Sequence, residues 1–419
     1  MSGVEVRPVE AEEIETWQRA KAVTFLGNPE DVTAAWVEWR RQAWDPARAW
    51  GAFDGSAVVG TLRTLPRRFT VPGAGGDVGD LARVDALTGV TVSATHRRQG
   101  LLRRMLTESL AAAADRGDPL SILIAAEWPI YGRFGYAPAS NWAQWTLDRR
   151  RPAASLRLDV SPLGSLRPAE PKEMLDVAPT VFDAARRQRA GQIDRPSEFW
   201  ALELAPELRS PGSRASTGVL HEGPAGVDGV LRWRATGEFD FDRGGAVVVD
   251  DLFAASQEAY TALWGYLLSM DVVDTARLTS RPPDEPIRHL LADGRCLRTE
   301  SIIDAVWVRL LDVPAALVAR RYAVQGRLVL DVVDAEVGGY GAGRFLLEGG
   351  PEGASCRRAP QESPDLRLSQ RALASVYLGL PSLRTQQIAG RVDELTPGAV
   401  NRADAMFITA LQPWLATGF

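Results

Sequence analysis

Hydrophobic positions recur along this chain with two periods, one near 3.6 residues and one near 2, and their order outlines the first third of the protein. Residues Ala11 to Val23 and Val32 to Ala43 carry apolar side chains at helical spacing. Trp50 to Phe53 and Ala57 to Leu62 flank Asp54-Gly55 and read as a hairpin. Val71 to Asp80 is a glycine-rich loop, and Leu87 to Val92 predicts a strand. From Gly100 to Ala114, Leu101, Leu102, Met105, Leu106, Leu110 and Ala113 share one helical face. Asp115-Arg116-Gly117-Asp118-Pro119 ends that helix, and Ser121 to Ala126 is a short apolar strand. Strand, helix and strand in this order make a βαβ-like unit.

The pattern then repeats. Arg149 to Pro162, rich in Arg and Pro, predicts a first domain boundary. Ala246 to Val249 reads as a strand, and Gln257 to Met270 as a helix with Leu263, Leu267 and Met270 on one face. Arg277 to Thr279 is a strand that ends before Pro282-Pro283. This echo predicts an internal duplication. Its junction lacks an arginine-glycine turn, and Asp250-Asp251-Leu252-Phe253 in that place would repel phosphate. A third segment starts near Ser301, with a helix over Ala315 to Tyr322, a strand over Leu328 to Val333 and a helix over Leu368 to Leu378. The expected domains are therefore residues 1–150, 151–300 and 301–419, of mixed α/β class.

Composition adds limits. An apolar fraction of 45% with 24% charged residues is that of a soluble globular protein. There is no uninterrupted apolar run of about 18 residues, so no membrane span is expected. The start, MSGVEVRPVEAEEIETW, lacks the basic and apolar regions of a secretion signal, which predicts a cytoplasmic protein. A formal charge of −5 argues against nucleic-acid binding and suits a cationic small partner. Cys296 and Cys356 have no metal-ligand spacing, and His96, His221 and His289 are far apart, so no metal is expected.

The chemistry concentrates between Gly89 and Leu102, where a strand meets a helix through a basic turn. A helix start leaves backbone N–H groups without partners, and the helix dipole favours an anion there. Gly100 lets the backbone approach a phosphate, while Arg97 and Arg98 add charge and donors. The turn suits a pyrophosphate. It matches neither G-x-G-x-x-G nor the nucleoside-triphosphate loop.

Val-x-x-x-x-Arg-Arg-x-Gly-Leu-Leu, from Val92 to Leu102, resembles the coenzyme-A-binding signature of the GNAT superfamily of N-acetyltransferases, departing from it at Leu102. Ala126-Glu127-Trp128-Pro129-Ile130-Tyr131-Gly132-Arg133-Phe134-Gly135-Tyr136 follows the next strand. The two motifs together resemble the Eis family ("enhanced intracellular survival" acetyltransferases). Chain length, the degenerate second copy and the terminal phenylalanine agree with that family.

The resemblance implies two GNAT-like domains in tandem, the second without cofactor, and a C-terminal domain similar to a sterol carrier protein. It implies acetyl-CoA as co-substrate, a homohexamer, and amines of aminoglycosides or related polyamines as acceptors. Carried over by motif, Val90, Thr91 and Val92 would hold the pantetheine by their backbone. Arg97, Arg98, Gln99, Gly100, Leu101, Leu102 and Arg103 would cradle the pyrophosphate, and Ala126 and Glu127 would lie along the pantetheine arm. Where the family usually has Ser-Glu-Gly-Gly, this chain has Ala126-Glu127-Trp128-Pro129, a bulkier and stiffer wall.

Tyr131 is the candidate general acid for the departing thiolate. The resemblance makes the terminal carboxylate of Phe419 the base, with Asp85 and Glu127 as alternatives. An apolar end made of Phe407, Ile408, Leu411, Trp414, Leu415 and Phe419 should dock rather than fray. Phe25, Trp36 and Trp39 could line an acceptor pocket or belong to the core. Two other readings stand beside this one: a non-catalytic coenzyme A or lipid binder, and an acetyltransferase of lysine or peptide amines.

Overall fold

A computed structural model describes residues 3–42, 44–73, 81–151, 154–157, 164–204, 216–240, 244–334 and 336–419. They divide into two compact units. The first comprises residues 1–139, 306–410 and 418–419; the second comprises 140–305 and 411–417. The expected glycine-rich loop falls mostly on residues 74–80, outside the described residues.

The first unit opens with β1 (Glu5–Pro8), α1 (Ile14–Thr24), α2 (Ala34–Gln42), β2 (Ala49–Asp54) and β3 (Ala57–Thr70). β4 (Leu81–Val92), α3 (Leu101–Asp115), β5 (Leu120–Ile124) and α4 (Trp128–Tyr131) follow. The sheet runs β1-β2-β3-β4-β5, then Val306–Leu310, then Ala137–Pro138. β4 and β5 pair in parallel, with α3 as their crossover. Leu101, Met105, Leu106, Leu110 and Ala113 of α3 are buried against Trp50, Leu62, Leu87, Leu123, Phe134 and Trp307. Each buried leucine or methionine contributes roughly 1.5–3 kcal/mol.

β4 starts six residues before the predicted strand, because Arg83 and Asp85 interrupt its apolar pattern. Asp85 is buried there beside Arg48 at 2.7 Å and Arg116 at 2.8 Å. Burial nevertheless pushes its carboxyl up to about 6. Engaged in this way, Asp85 belongs to the support of the sheet, not to its open end.

In the second unit, Gly244–Ala254 and Val273–Arg281 are parallel neighbours joined by the helix Gln257–Ser269. The predicted duplication is thus present as architecture. Strand pairing crosses both expected boundaries: Asn141–Asp148 lies in the second sheet and Val306–Leu310 in the first. Proline and arginine content marks a change in local chain character, whereas pairing depends on partners far away in sequence.

The C-terminal part of the first unit has its own five-stranded sheet, ordered Gly353–Arg358, Gly343–Gly350, Gly326–Val333, Leu366–Ser369 and Val392–Glu394. The predicted helix over 315–322 is shorter, at Val313–Val318. The predicted helix over 368–378 begins as a strand whose Leu366 and Leu368 alternate inward. It turns helical at Gln370, where the Ser369 hydroxyl accepts from the Ala372 N–H at 3.1 Å.

Residues 131–136 are tied into the core of the first unit. Tyr136 is fully buried, its hydroxyl 2.6 Å from that of Ser121. The buried Arg309 guanidinium donates to the Phe134 carbonyl. Gly135 has φ +79°, and a Cβ there would lie 3.0 Å from both Arg309 and Gln370. Gly135→Ala is therefore expected to cost about 1–3 kcal/mol from backbone strain alone, read as a lower unfolding midpoint. An unchanged midpoint would show that Tyr131 is not anchored by this turn.

Candidate active site

Parallel pairing between β4 and β5 runs from Val84–Leu120 to Leu87–Leu123 and then stops. The next residues of β4 form a bulge: Thr61 faces Thr91 and Arg63 faces Thr88, so one residue of β3 opposes two of β4. Gly89 sits in the bulge with φ +62°, and its carbonyl accepts from the Thr61 hydroxyl at 2.7 Å. Val90, Thr91 and Val92 then continue with β3 on one side and, among the described residues, no strand on the other. Their outward backbone groups remain available to an extended ligand.

The chain leaves β4 through Ser93 and enters α3 at Gly100, which has φ +76°. Among the described residues, no side chain caps α3, and a Cβ on Gly100 would meet nothing within 4 Å. The first N–H groups of the helix thus face open space. Arg97, Arg98, Gln99, Gly100 and Arg103 are exposed, and Leu101 is buried with Leu102 half-buried behind them. Among the described residues, Arg97, Arg98 and Arg103 have no carboxylate within 4.0 Å. This is a cationic cradle without an anion of its own.

β5 ends at Ile124, and the exposed Ala126 and Glu127 lead into α4, started by Pro129. Tyr131 is 7% exposed and meets Tyr136 edge-on at 6.3 Å. Its hydroxyl makes no hydrogen bond among the described residues. Trp128 packs edge-on to Trp307 at 4.9 Å, so the bulky substitution in the motif rests on the sheet.

The chain matches known families over almost its entire length. Residues 5–139 and again 191–310 match acetyltransferase (GNAT) domain families, and residues 313–416 match the sterol carrier protein domain. An uncharacterized N-acetyltransferase of Streptomyces avermitilis is 36% identical over 98% of this chain and 97% of its own length. The N-acetyltransferase Eis of Mycobacterium bovis is 34% identical over 85% of each chain. The crystal structure of Eis1 from Mycobacterium abscessus superposes with a TM-score of 0.83 at 31% identity, over 99% of this chain and 100% of that one. The chain belongs to the Eis family of GNAT acetyltransferases.

This Eis-family enzyme uses the acetyl donor of GNAT acetyltransferases, acetyl-CoA. Its second GNAT domain repeats the parting of strands, since parallel pairing there ends at Val249–Leu278. The sequel differs. Asp250 and Asp251 do not stand in the turn but continue the strand, where Asp250 pairs with Arg234 and Asp251 with Arg195 and Arg232. The turn is closed by Ser256, whose hydroxyl accepts from the Ala259 N–H at 3.0 Å. One N–H of the helix start is thereby satisfied from within. A cavity of about 470 Å³ lies beside it, and Trp414 lines it, donating to the Ser280 carbonyl at 2.8 Å.

The tail expected to dock does so unevenly. Leu415 is fully buried, whereas Ile408 and Leu411 are largely exposed. Residues 411–417 are held by polar contacts: Trp142 to the Leu415 carbonyl, and Arg195 to the Thr417 hydroxyl at 2.7 Å. Phe419, in the first unit, is half-buried, and no cation lies within 4.0 Å of its carboxylate among the described residues.

Phe25 is more than half exposed, while Trp36 and Trp39 are half-buried with ring centroids 6.4 Å apart. The Arg40 guanidinium covers both tryptophans, at 4.8 and 4.9 Å. Neither this cation nor the Gly89 bulge was anticipated from sequence, although a glycine inside a strand is a bulge signal.

Burial, with Glu127 nearby, pushes the Tyr131 phenol up to about 12. The unfolded chain therefore loses this proton first as pH rises past about 10. Wild type should lose stability relative to Tyr131→Phe from about pH 10 upward. Parallel stability curves for the two proteins between pH 9 and 11, measured in denaturant, would place the hydroxyl in water.

Proposed function

We propose that the chain transfers the acetyl group of acetyl-CoA to a primary amine of a small molecule, with Tyr131 as acid and the Phe419 carboxylate as base. The observation that carries this reading is the uncapped, cationic start of α3 beside the unpaired edge of β4. It is a site built to receive a diphosphate followed by an extended amide chain. Bound there, acetyl-CoA would supply an activated thioester.

Each residue then has a limited task. N–H groups at the start of α3, with Arg97 and Arg98, hold the diphosphate. Backbone groups of Val90 to Val92 align the pantetheine, and Ala126 and Glu127 flank it. Tyr131 stays protonated across the physiological range and offers a hydrogen bond where thiolate charge develops. Complete proton transfer from a phenol near 12 to a thiolate of ordinary pKa, about 8.5, is uphill. The hydroxyl therefore acts mainly as a hydrogen-bond donor as the bond to sulfur breaks. The terminal carboxylate, ionised at neutral pH, accepts the amine proton.

Aminoglycosides and other polyamines are the acceptors implied by the resemblance, and a homohexamer is the implied form. The exposed and half-buried residues Phe25, Trp36 and Trp39 supply a surface for an acceptor amine, and the Lys21 and Arg40 cations beside those tryptophans bear on which amine it takes.

Replacing Arg98 by Ala together with Gly100 by Asp is expected to weaken acetyl-CoA binding by about tenfold or more, measured by calorimetry. Equal affinity would remove the cradle from the site. A few residues added after Phe419 should depress kcat and leave acetyl-CoA affinity intact. Normal turnover by that extended chain would exclude the terminal carboxylate.

A further inference from the structure

The layer formed by α1, α2 and β3 gathers cations among tryptophans. The Lys21 ammonium lies 5.8 Å from the Trp36 ring and 5.9 Å from the Trp17 ring. The Arg40 guanidinium covers Trp36 and Trp39, and Arg63 covers Trp44 at 4.9 Å. Trp44 in turn meets Trp17 edge-on at 5.4 Å, which joins these groups into one cluster.

Among the described residues, neither Lys21 nor Arg40 has a carboxylate within 4.0 Å. Among the acidic side chains of the neighbouring segments, Glu15 and Glu30 pair with Arg19, Glu38 with Arg41, and Asp45 with Arg48, Asp45 also favouring the charge of Arg63. The Nε of Arg40 is buried without a partner. Burial first, then repulsion from Arg40 and Arg63, lowers the Lys21 ammonium to about 8. Burial and the charge of Arg67 lower Arg40 to about 10. Contacts with ring faces offset this cost only in part, at roughly 0.5–2 kcal/mol each. An anion placed among the cations would offset more.

The cluster also has a position. A Cβ on Gly89 would lie 3.2 Å from Trp17 and 3.4 Å from Lys21. It therefore begins at the bulge of β4, one residue before the strand segment assigned to the pantetheine.

We propose that Lys21 and Arg40 form an anion-recognition subsite for the acceptor, so that the preferred substrates are small primary amines that also carry a carboxylate or a phosphate. This rests on the acetyltransfer reading above. The subsite pairs with the anionic group of the acceptor. Its field also disfavours an ammonium and raises the fraction of neutral, nucleophilic amine. A polyamine, with cations at both ends, meets only repulsion from Lys21 and Arg40.

The test uses hexylamine, 1,6-diaminohexane, 6-aminohexanoate and 6-aminohexyl phosphate, which share one chain length. Thiol release from acetyl-CoA is followed with the full-length protein. At least one anionic amine should exceed the diamine in kcat/KM by about tenfold. Which anion leads separates a carboxylate-bearing from a phosphate-bearing substrate. In R40Q the ratio of the better anionic amine to hexylamine should fall by several-fold; a ratio within one preparation cancels any loss of folded protein. An equal or reversed order overturns the proposal. Calorimetry with acetyl-CoA separates the two levels: intact binding with the diamine preferred sinks only the subsite, and absent binding sinks the acetyltransfer reading too.

Discussion

Beyond Leu87 and Leu123, two parallel strands that share hydrogen bonds up to that point cease to do so, and the chemistry of the first domain depends on that separation. Had β4 stayed paired to its end, the backbone groups of Val90 to Val92 would be consumed by the sheet. The bulge at Gly89, fastened by Thr61, turns them outward instead. It also delivers the chain to Gly100, whose left-handed backbone begins α3 without a cap. β5 ends on the other side of the gap, so Glu127 to Tyr131 can form its far wall. A strand defect, an uncapped helix and a buried phenol are thus consequences of one interrupted ladder.

The second GNAT domain is a useful control within the same chain. It has the same parallel pair and crossover helix, and its strands also part. There, however, Ser256 caps the helix start, and arginines neutralise Asp251 in the strand. The cavity beside it is lined in part by Trp414 from the protein's own tail. The same fold therefore carries two differently finished helix starts, because the sheet is stabilised by its core and a helix start by a few groups at one end.

Charge is distributed against the average. The chain carries a formal −5, which by itself suits a cationic partner. Locally, the exposed arginines at the start of α3 and the Lys21–Arg40 cluster are both positive. Asp85 illustrates the opposite arrangement: a buried carboxylate with two arginine partners, part of the scaffold that holds β4. Net charge describes long-range behaviour, whereas recognition is decided within a few ångströms, where the partners of each ion are specific.

Several features followed from the sequence alone. The α3 stripe from Leu101 to Ala113, the hairpin at Asp54-Gly55, the repeated βαβ order and the two motifs at Arg97 and Tyr131 rest on periodicity, turn residues and short-range spacing, which the chain carries locally. Other features became definite only in three dimensions. The early start of β4 needs Arg48 and Arg116 to neutralise Asp85, and the strand origins of Asn141–Asp148 and Val306–Leu310 need partners in distant segments. The bulge at Gly89 is defined by the register of β3, and the Lys21–Arg40 cluster by the packing of two helices and a strand. The physical reason is common to all of them: local pattern states what a segment prefers, but pairing register and the neutralisation of charge belong to groups brought together by the fold.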